Sequence, residues 1–262
     1  MPMYKTAVTA KVATLCSFVA AEAQEICEGY GPQAPRDISV AEGINARIFD
    51  LAPAPERMNL CDIHTHTNAE HRGPGFTVAV DDGTHGGFAC DISADLTEDE
   101  RAPYDGEGHF DEVAPGDTIE VHWVFTSCES EPGPGLASCM TNACMNPQLR
   151  VESQVFLVVN DPEAADFSDY TLAAEQAGGY YQPKSLPEGT GTPVEYTGST
   201  TGPRYNELEC SPLQVSWSVR PQCAKLDIGS LYRWGADNAF GEDHSHGVRE
   251  LVRAPALLSA MN

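Results

Sequence analysis

Basic residues are scarce in this chain. Lysine and arginine together number 15 among 262 residues, against 39 aspartates and glutamates, for a formal net charge of −24. A surface of that sign repels polyanions, so neither nucleic acid nor an anionic membrane is expected as a partner. Long apolar runs are missing as well: the run Val12 to Ala21 is too short to span a bilayer. No two cysteines stand in CxxC spacing, which disfavours a thiolate metal site. There is no internal repeat and no linker long enough to force a second domain. The glycine-rich stretch "DDGTHGG" (Asp81–Gly87) lacks the lysine and the strand–helix context of a phosphate loop, and Asp81 and Asp82 read as a turn rather than a calcium site.

The N-terminus reads as a leader over residues 1–23. Lys5 and Lys11 precede the apolar run, and Ala21-Glu22-Ala23 offers an A-x-A cleavage site. The competing reading is a short helix packed on the domain. Cysteine arithmetic supports cleavage: the nine cysteines include Cys16, and its removal leaves eight. An even set in an exported chain suggests disulfides, whose connectivity the sequence does not reveal. The expectation is a mature domain over residues 24–262 in an oxidising compartment, periplasmic or extracellular.

The mature region reads as β-rich. Short alternating or apolar runs are separated by glycine, proline and aspartate. Clear strands are Thr118–Ser127, Leu149–Asp161 and Leu213–Pro221. Helical periodicity is weaker, with short helices suggested around Tyr170–Ala177 and His246–Arg253. Pro183–Pro193 and Glu129–Cys144 read as long loops, the second pinned by Cys128, Cys139 or Cys144.

Chemistry concentrates in "CDIHTHTNAEH" (Cys61–His71), which holds three of the chain's 8 histidines. On a strand, the two-residue period puts His64 and His66 on one face, the spacing two ligands of one ion require. His122, in "IEVHWVF", can supply a third neutral nitrogen. Three histidines with an open position are a catalytic rather than a structural zinc arrangement. Asp62 and Glu120 each precede a histidine by two residues, so each shares its face and can fix its tautomer. Some of these side chains could instead simply hydrogen-bond loops. His71 and His109 read as hydrogen-bonded core or loop residues.

These residues resemble the carbonic anhydrases. The order Asp62-Ile63-His64-Thr65-His66, Ala69-Glu70-His71, Glu120-Val121-His122-Trp123, Tyr196 to Pro203 and Val215-Ser216-Trp217 is similar to the α-class. The local wording of "CDIHTHTNAEH", "PGDTIEVHWVFTSC", "NPQLRVESQVFLVVND" and "HSHGVRELV" is nearer the δ-class and its bacterial relatives, over roughly Leu60 to Val252. The resemblance implies an α+β, β-rich single domain with few short helices, built around a large, central, mostly antiparallel sheet that carries the metal site. It implies one zinc ion, exchangeable for cobalt or cadmium, on His64, His66 and His122, with Asp62 orienting His64 and Glu120 orienting His122. Thr201 would orient a hydroxide on the metal and donate to Glu70; Thr200 takes that role if the loop is one residue shorter. The implied reaction is reversible hydration of carbon dioxide to bicarbonate. Val121, Trp123 and Val215 either line the substrate pocket or fill the core, and core is the preferred reading.

Several positions depart from the α-class pattern. Thr67 replaces its tryptophan, the gap to Glu70 is shorter, and no histidine precedes His64, so His85, His109, His244 and His246 are only candidates for moving protons. Two rivals remain. A cupin oxygenase would use Glu70 as a direct iron ligand beside His64 and His66, although Pro115-Gly116 lies too far from His122 for the second cupin motif. A non-catalytic exported zinc carrier would use "GEDHSHG" (Gly241–Gly247). Oligomeric state is not legible. Thiol titration of the native mature chain is expected to find none of its eight cysteines free; eight reactive thiols would overturn the exported, oxidised reading.

Overall fold

The computed structural model describes residues 1, 26, 27, 29–80 and 86–261. The expected leader, Cys16, and Asp81, Asp82 and His85 lie outside the described residues. Eight strands are present among the described residues: β1 (Asn59–Thr67), β2 (Val78–Ala79), β3 (Phe88–Ala89), β4 (Thr118–Thr126), β5 (Leu149–Val159), β6 (Val194–Ser199), β7 (Gln214–Val219) and β8 (Ala224–Asp227). One α-helix, α1 (Ile228–Ala236), follows β8 among the described residues.

β5 is the spine of the sheet. All eleven of its residues are buried, as its β-branched and apolar wording leads one to expect. Along one edge it pairs antiparallel with β4, from Leu149 opposite Thr126 to Leu157 opposite Thr118. Along the other edge it pairs in parallel, first with β7 and then with β8. Pro221, which cannot donate to a ladder, falls between these two strands and divides them. β1 pairs antiparallel outside β4, and β6 pairs antiparallel outside β7. The order is therefore β1-β4-β5-β7-β6 with β8 beside β5. The sheet is mixed rather than purely antiparallel.

Alternation along the strands sorts the two faces. Ile63, Val121, Trp123, Phe125, Phe156 and Val158 pack with Ile228, Leu231 and Trp234 of α1. Val124, Val151, Val155, Trp217 and Val219 lie on the opposite face. Val121 and Trp123 thus fill the core, as preferred from the sequence, whereas Val215 also lines a cavity.

Helices depart from expectation. No helix forms over 170–177 or 246–253. Those backbones bond elsewhere: Ala173 N–H to the Gln182 carbonyl, and His246 to both sides of β1 residues Thr65 and Thr67. The helix that does form starts at Asp227, whose carboxylate caps the Ser230 N–H at 2.8 Å. Its apolar residues Ile228, Leu231 and Trp234 recur at helical spacing, but its two glycines weaken its local signal. Gly235 is there for closeness: a Cβ at this position would meet the His109 carbonyl at 2.3 Å.

The eight described cysteines pair as Cys27–Cys210, Cys61–Cys139, Cys90–Cys223 and Cys128–Cys144. Four disulfides are typical of proteins matured in an oxidising compartment. The loop 129–144 is pinned at Cys128–Cys144 and again to β1 at Cys61–Cys139. Their sequence separations are 16 and 78. On chain-entropy grounds, removing Cys61–Cys139 should cost about 4 kcal/mol and removing Cys128–Cys144 about 3 kcal/mol. Guanidinium unfolding of the two serine double variants checks this, and the reverse order would reject the entropic account.

Candidate metal centre

The β1–β4 register brings the histidines together. His64 stands opposite His122 and His66 opposite Glu120. The pairing is regular from Asp62 to Thr67, so Asp62 shares the face of His64 by two-residue alternation; the one register irregularity lies before it, between Leu60 and Asp62. The three ring centroids lie 4.7–5.1 Å apart.

Each imidazole has one nitrogen engaged and one left over. His64 Nδ1 donates to Asp62 Oδ2 at 2.7 Å, and Gly135 N–H holds Asp62 Oδ1 at 3.1 Å. His66 Nδ1 donates to the Gly247 carbonyl at 3.2 Å. His122 Nε2 donates to Glu120 Oε1 at 3.0 Å. The nitrogens left facing one another are His64 Nε2, His66 Nε2 and His122 Nδ1. His66 Nε2 is buried with no hydrogen-bond partner, a costly state for a polar atom unless something occupies the space between the rings. His64 Nε2 and His122 Nδ1 are 3.3 Å apart. Two ligands of a tetrahedral zinc with bonds of about 2.0–2.1 Å stand about 3.3 Å apart, so the donor set fits such an ion. Together the three residues form a group able to hold a metal.

Behind His122 a second polar chain runs into the core. Glu120 is fully buried and accepts five hydrogen bonds: from His122, His71 Nδ1 and Ser153 at Oε1, and from the Glu70 and His71 N–H groups at Oε2. His71 Nε2 meets the Tyr196 hydroxyl at 2.7 Å. His71, Glu120 and His122 also lie close enough to suggest a metal cluster. Five donors leave Glu120 no site for an ion, so this group is a hydrogen-bonded relay. His71 is the core residue that sequence reading took it for.

Glu70 takes an unexpected place. Its Oε1 accepts the Arg249 N–H at 3.1 Å and lies 3.4 Å from His66 Nδ1, on the outer side of that ring. Its Oε2 is buried and unpartnered. No hydrogen bond joins it to Thr201 among the described residues. Thr200 and Thr201 both line the cavity over the histidines. The Thr200 hydroxyl pairs with Ser211 at 2.5 Å, whereas that of Thr201 has no partner among the described residues.

The cavity measures about 500 Å³. One wall is apolar, with Val124, Leu136, Val151, Val215, Trp217 and Phe240; the other carries Glu242, His244 and His246. Surface clefts of about 570 and 760 Å³ lie around Arg47 and Phe49, away from the histidines, so size does not choose the site. His246 sits 6.1 Å from the His64 ring and is held by Glu242 at 3.0 Å. Glu242 in turn accepts the Thr65 N–H at 2.7 Å. His109 pairs with Asp111 at the surface. Sequence reading gave no role to Gly135, Gly247 or Arg249 and set Glu242 only in a candidate metal-carrying loop. Gly247 and Arg249 fall within "HSHGVRELV", but they act through backbone groups or from far along the chain, so the wording did not show what they touch.

Electrostatics divides the three ligand candidates. Burial, with the neighbouring His64, lowers His66 to about 3. Burial lowers His122 to about 4, against the pull of Glu120. For His64, burial is outweighed by the charge and hydrogen bond of Asp62, and the imidazole is raised. Burial also opposes the charge on Glu120, but His71 and His122 hold it well below the usual carboxylate range. Burial pushes Glu70 up.

A mixed β-sheet that presents three convergent imidazoles below an apolar cleft defines a protein able to hold a metal at an open site. Residues 55–230 match the family model for Delta carbonic anhydrase, more than half of the chain, and the chain belongs to that family. A search of curated proteins finds no match. Among solved structures, Photobacterium profundum alpha-carbonic anhydrase is similar at 15% identity, covering 86% of this chain and 88% of that one, with a TM-score of 0.29. A likeness that low carries no argument.

The pKa pattern sets a sign. Between about pH 6.5 and 4 the unfolded chain binds protons at His66 and His122 that the native state refuses, so the metal-free fold should lose stability as pH falls through that window. His64 acts oppositely, its contribution being full below about pH 6.5 and lost as pH rises through its raised value. Chemical denaturation of the metal-free protein at pH 6.5 and 4.5 should show the loss, and it should be smaller in His66→Gln. Equal losses in both proteins would refute the assignment.

Proposed function

We propose that this chain is a zinc-dependent carbonic anhydrase that reversibly hydrates carbon dioxide, with His64, His66 and His122 as the ligands. The observation that carries the proposal is the convergence of three imidazole nitrogens under an apolar wall, that of His66 buried without a partner, in a chain that belongs to the Delta carbonic anhydrase family. Three neutral nitrogen donors and an open position suit zinc, and cobalt or cadmium should bind in its place. Bound there, the ion would supply Lewis acidity that brings the ionisation of water near neutrality, as in carbonic anhydrases generally.

The residues divide the remaining work. Asp62 and Glu120 hold the His64 and His122 tautomers that point lone pairs inward. The Gly247 carbonyl does the same for His66. Thr201, whose hydroxyl has no partner among the described residues, is the better candidate than Thr200 to orient the attacking oxygen, because Thr200 is held by Ser211. The apolar wall receives a small neutral substrate and excludes competing water. Glu70 supports the outer face of His66 and retains a free oxygen within the core. That position disfavours a cupin-like role as a direct ligand. Glu242 and His246 are tied to β1, which disfavours a loose metal-carrying loop. A mature chain beginning after Ala23 and exported to the periplasm or beyond is part of this proposal, in keeping with the four disulfides.

Stopped-flow carbon dioxide hydration on purified protein, beside a metal-depleted sample, tests the proposal. Fast hydration should vanish on depletion and return with zinc; a sample holding one tight zinc per chain and showing no hydration would count against it. His66→Ala should lose metal and activity together. Thr201→Ala should keep its metal while losing about 100-fold or more in kcat, the scale expected for removing one oriented polar group at the reacting oxygen. Full activity in either variant would refute the corresponding role.

A further inference from the structure

Arg249 is the least expected group near the site. Its side chain is 1% exposed, and among the described residues no carboxylate forms an ion pair with its guanidinium. Burying a charge without a paired counter-charge is costly, and its Nε has no hydrogen-bond partner among the described residues, so the bonds of its two Nη groups must hold it there. They reach three separate segments. Nη1 donates to Gln33 Oε1 at 3.1 Å, the Ala34 carbonyl at 2.7 Å and Ser199 Oγ at 3.2 Å. Nη2 donates to the Asn206 carbonyl at 3.0 Å, and the guanidinium lies 5.7 Å from the Tyr205 ring centre.

Ser199 and Asn206 are the two ends of the loop that carries Thr200 and Thr201. One planar fork therefore spans both ends of that loop. The same residue's backbone N–H holds Glu70 Oε1 behind His66, and Gly247, two residues earlier, holds His66 itself. The family match ends at residue 230, so this tail lies beyond it.

We propose that Arg249 is the positioning residue of the site: it fixes the threonine loop relative to the three-histidine cluster by clamping both loop ends while its backbone supports Glu70. The inference rests on the proposed hydratase reading for its kinetic arm. Arginine is required because its two Nη atoms point along divergent directions, whereas a lysine carries all its donors on one atom and can serve only one end. Loop displacement of about 1 Å can cost about 100-fold in rate with no change in binding.

The test uses the full zinc-loaded chain with Arg249→Lys, and Ser199→Ala as a milder variant that removes a single anchor. In Arg249→Lys, kcat for hydration should fall by about 10- to 100-fold while KM and zinc content stay within about twofold. Amide exchange over 200–206 should accelerate while β4 and β5 keep their protection, and the visible spectrum of the cobalt-substituted protein should shift. Ser199→Ala should move the same quantities in the same direction by less, and it decides the matter if Arg249→Lys does not fold. Unchanged kcat and loop exchange in a folded, metal-loaded variant would overturn the proposal. So would exchange that rises uniformly across the sheet with kcat falling only in step with the folded fraction. Should the wild type lack hydratase activity, the functional reading fails, and loop exchange with the cobalt spectrum still decides the clamp.

Discussion

A carboxylate that is kept charged without water sets the terms for the rest of this structure. Glu120 has no solvent contact, and every lone pair it offers is taken by a protein donor. Those donors come from β4 itself, from Ser153 on β5 and from the chain just after β1. None can move without leaving a buried anion underserved, at a cost comparable to much of a domain's net stability. The β1–β4–β5 register is locked by this group as well as by its ladder, and His122 inherits its orientation from the lock. The relay continues through His71 to Tyr196, so the edge strand β6 is tied to the same charge.

Around that centre the protein uses different means for each imidazole. His122 is oriented by a carboxylate, His66 by a backbone carbonyl and His64 by a carboxylate that the disulfide-pinned loop steadies through Gly135. The electrostatic outcome follows. Two rings are kept neutral by burial, while His64, beside Asp62, favours its proton.

Disulfides and the polar network share the task of rigidity. The sheet's two apolar faces supply its core, but the cavity face is interrupted by histidines, acids and serines that contribute little hydrophobic stabilisation. Cys61–Cys139 and Cys128–Cys144 hold the loop over that face, Cys90–Cys223 joins the segment after β3 to β8, and Cys27–Cys210 secures the N-terminal arm. The C-terminal tail is held by backbone bonds to the outer edge of β1 and by the buried Arg249.

The sequence alone determined the strands whose alternation is strong and the pairing of His64 and His122 each with a carboxylate two residues earlier, because a period of two is a local property of the backbone. Thr118–Thr126 and Leu149–Val159 were legible for that reason, and so was the placement of Asp62 with His64. Helix α1 was not, since its nine residues carry two glycines and depend on packing against the sheet. The parallel pairings of β7 and β8 on β5, the disulfide partners, and the approach of Glu242, Gly247 and Arg249 to β1 arise only in the tertiary structure. Apart from Cys128–Cys144, which are 16 positions apart, they join residues more than sixty positions apart through backbone groups or unremarkable side chains, and no local pattern encodes which distant segment will meet which. Glu70 shows the limit most clearly: a motif suggested its partner would be Thr201, and the folded chain set it instead against His66 and the Arg249 backbone, because a buried carboxylate settles where donors are already fixed.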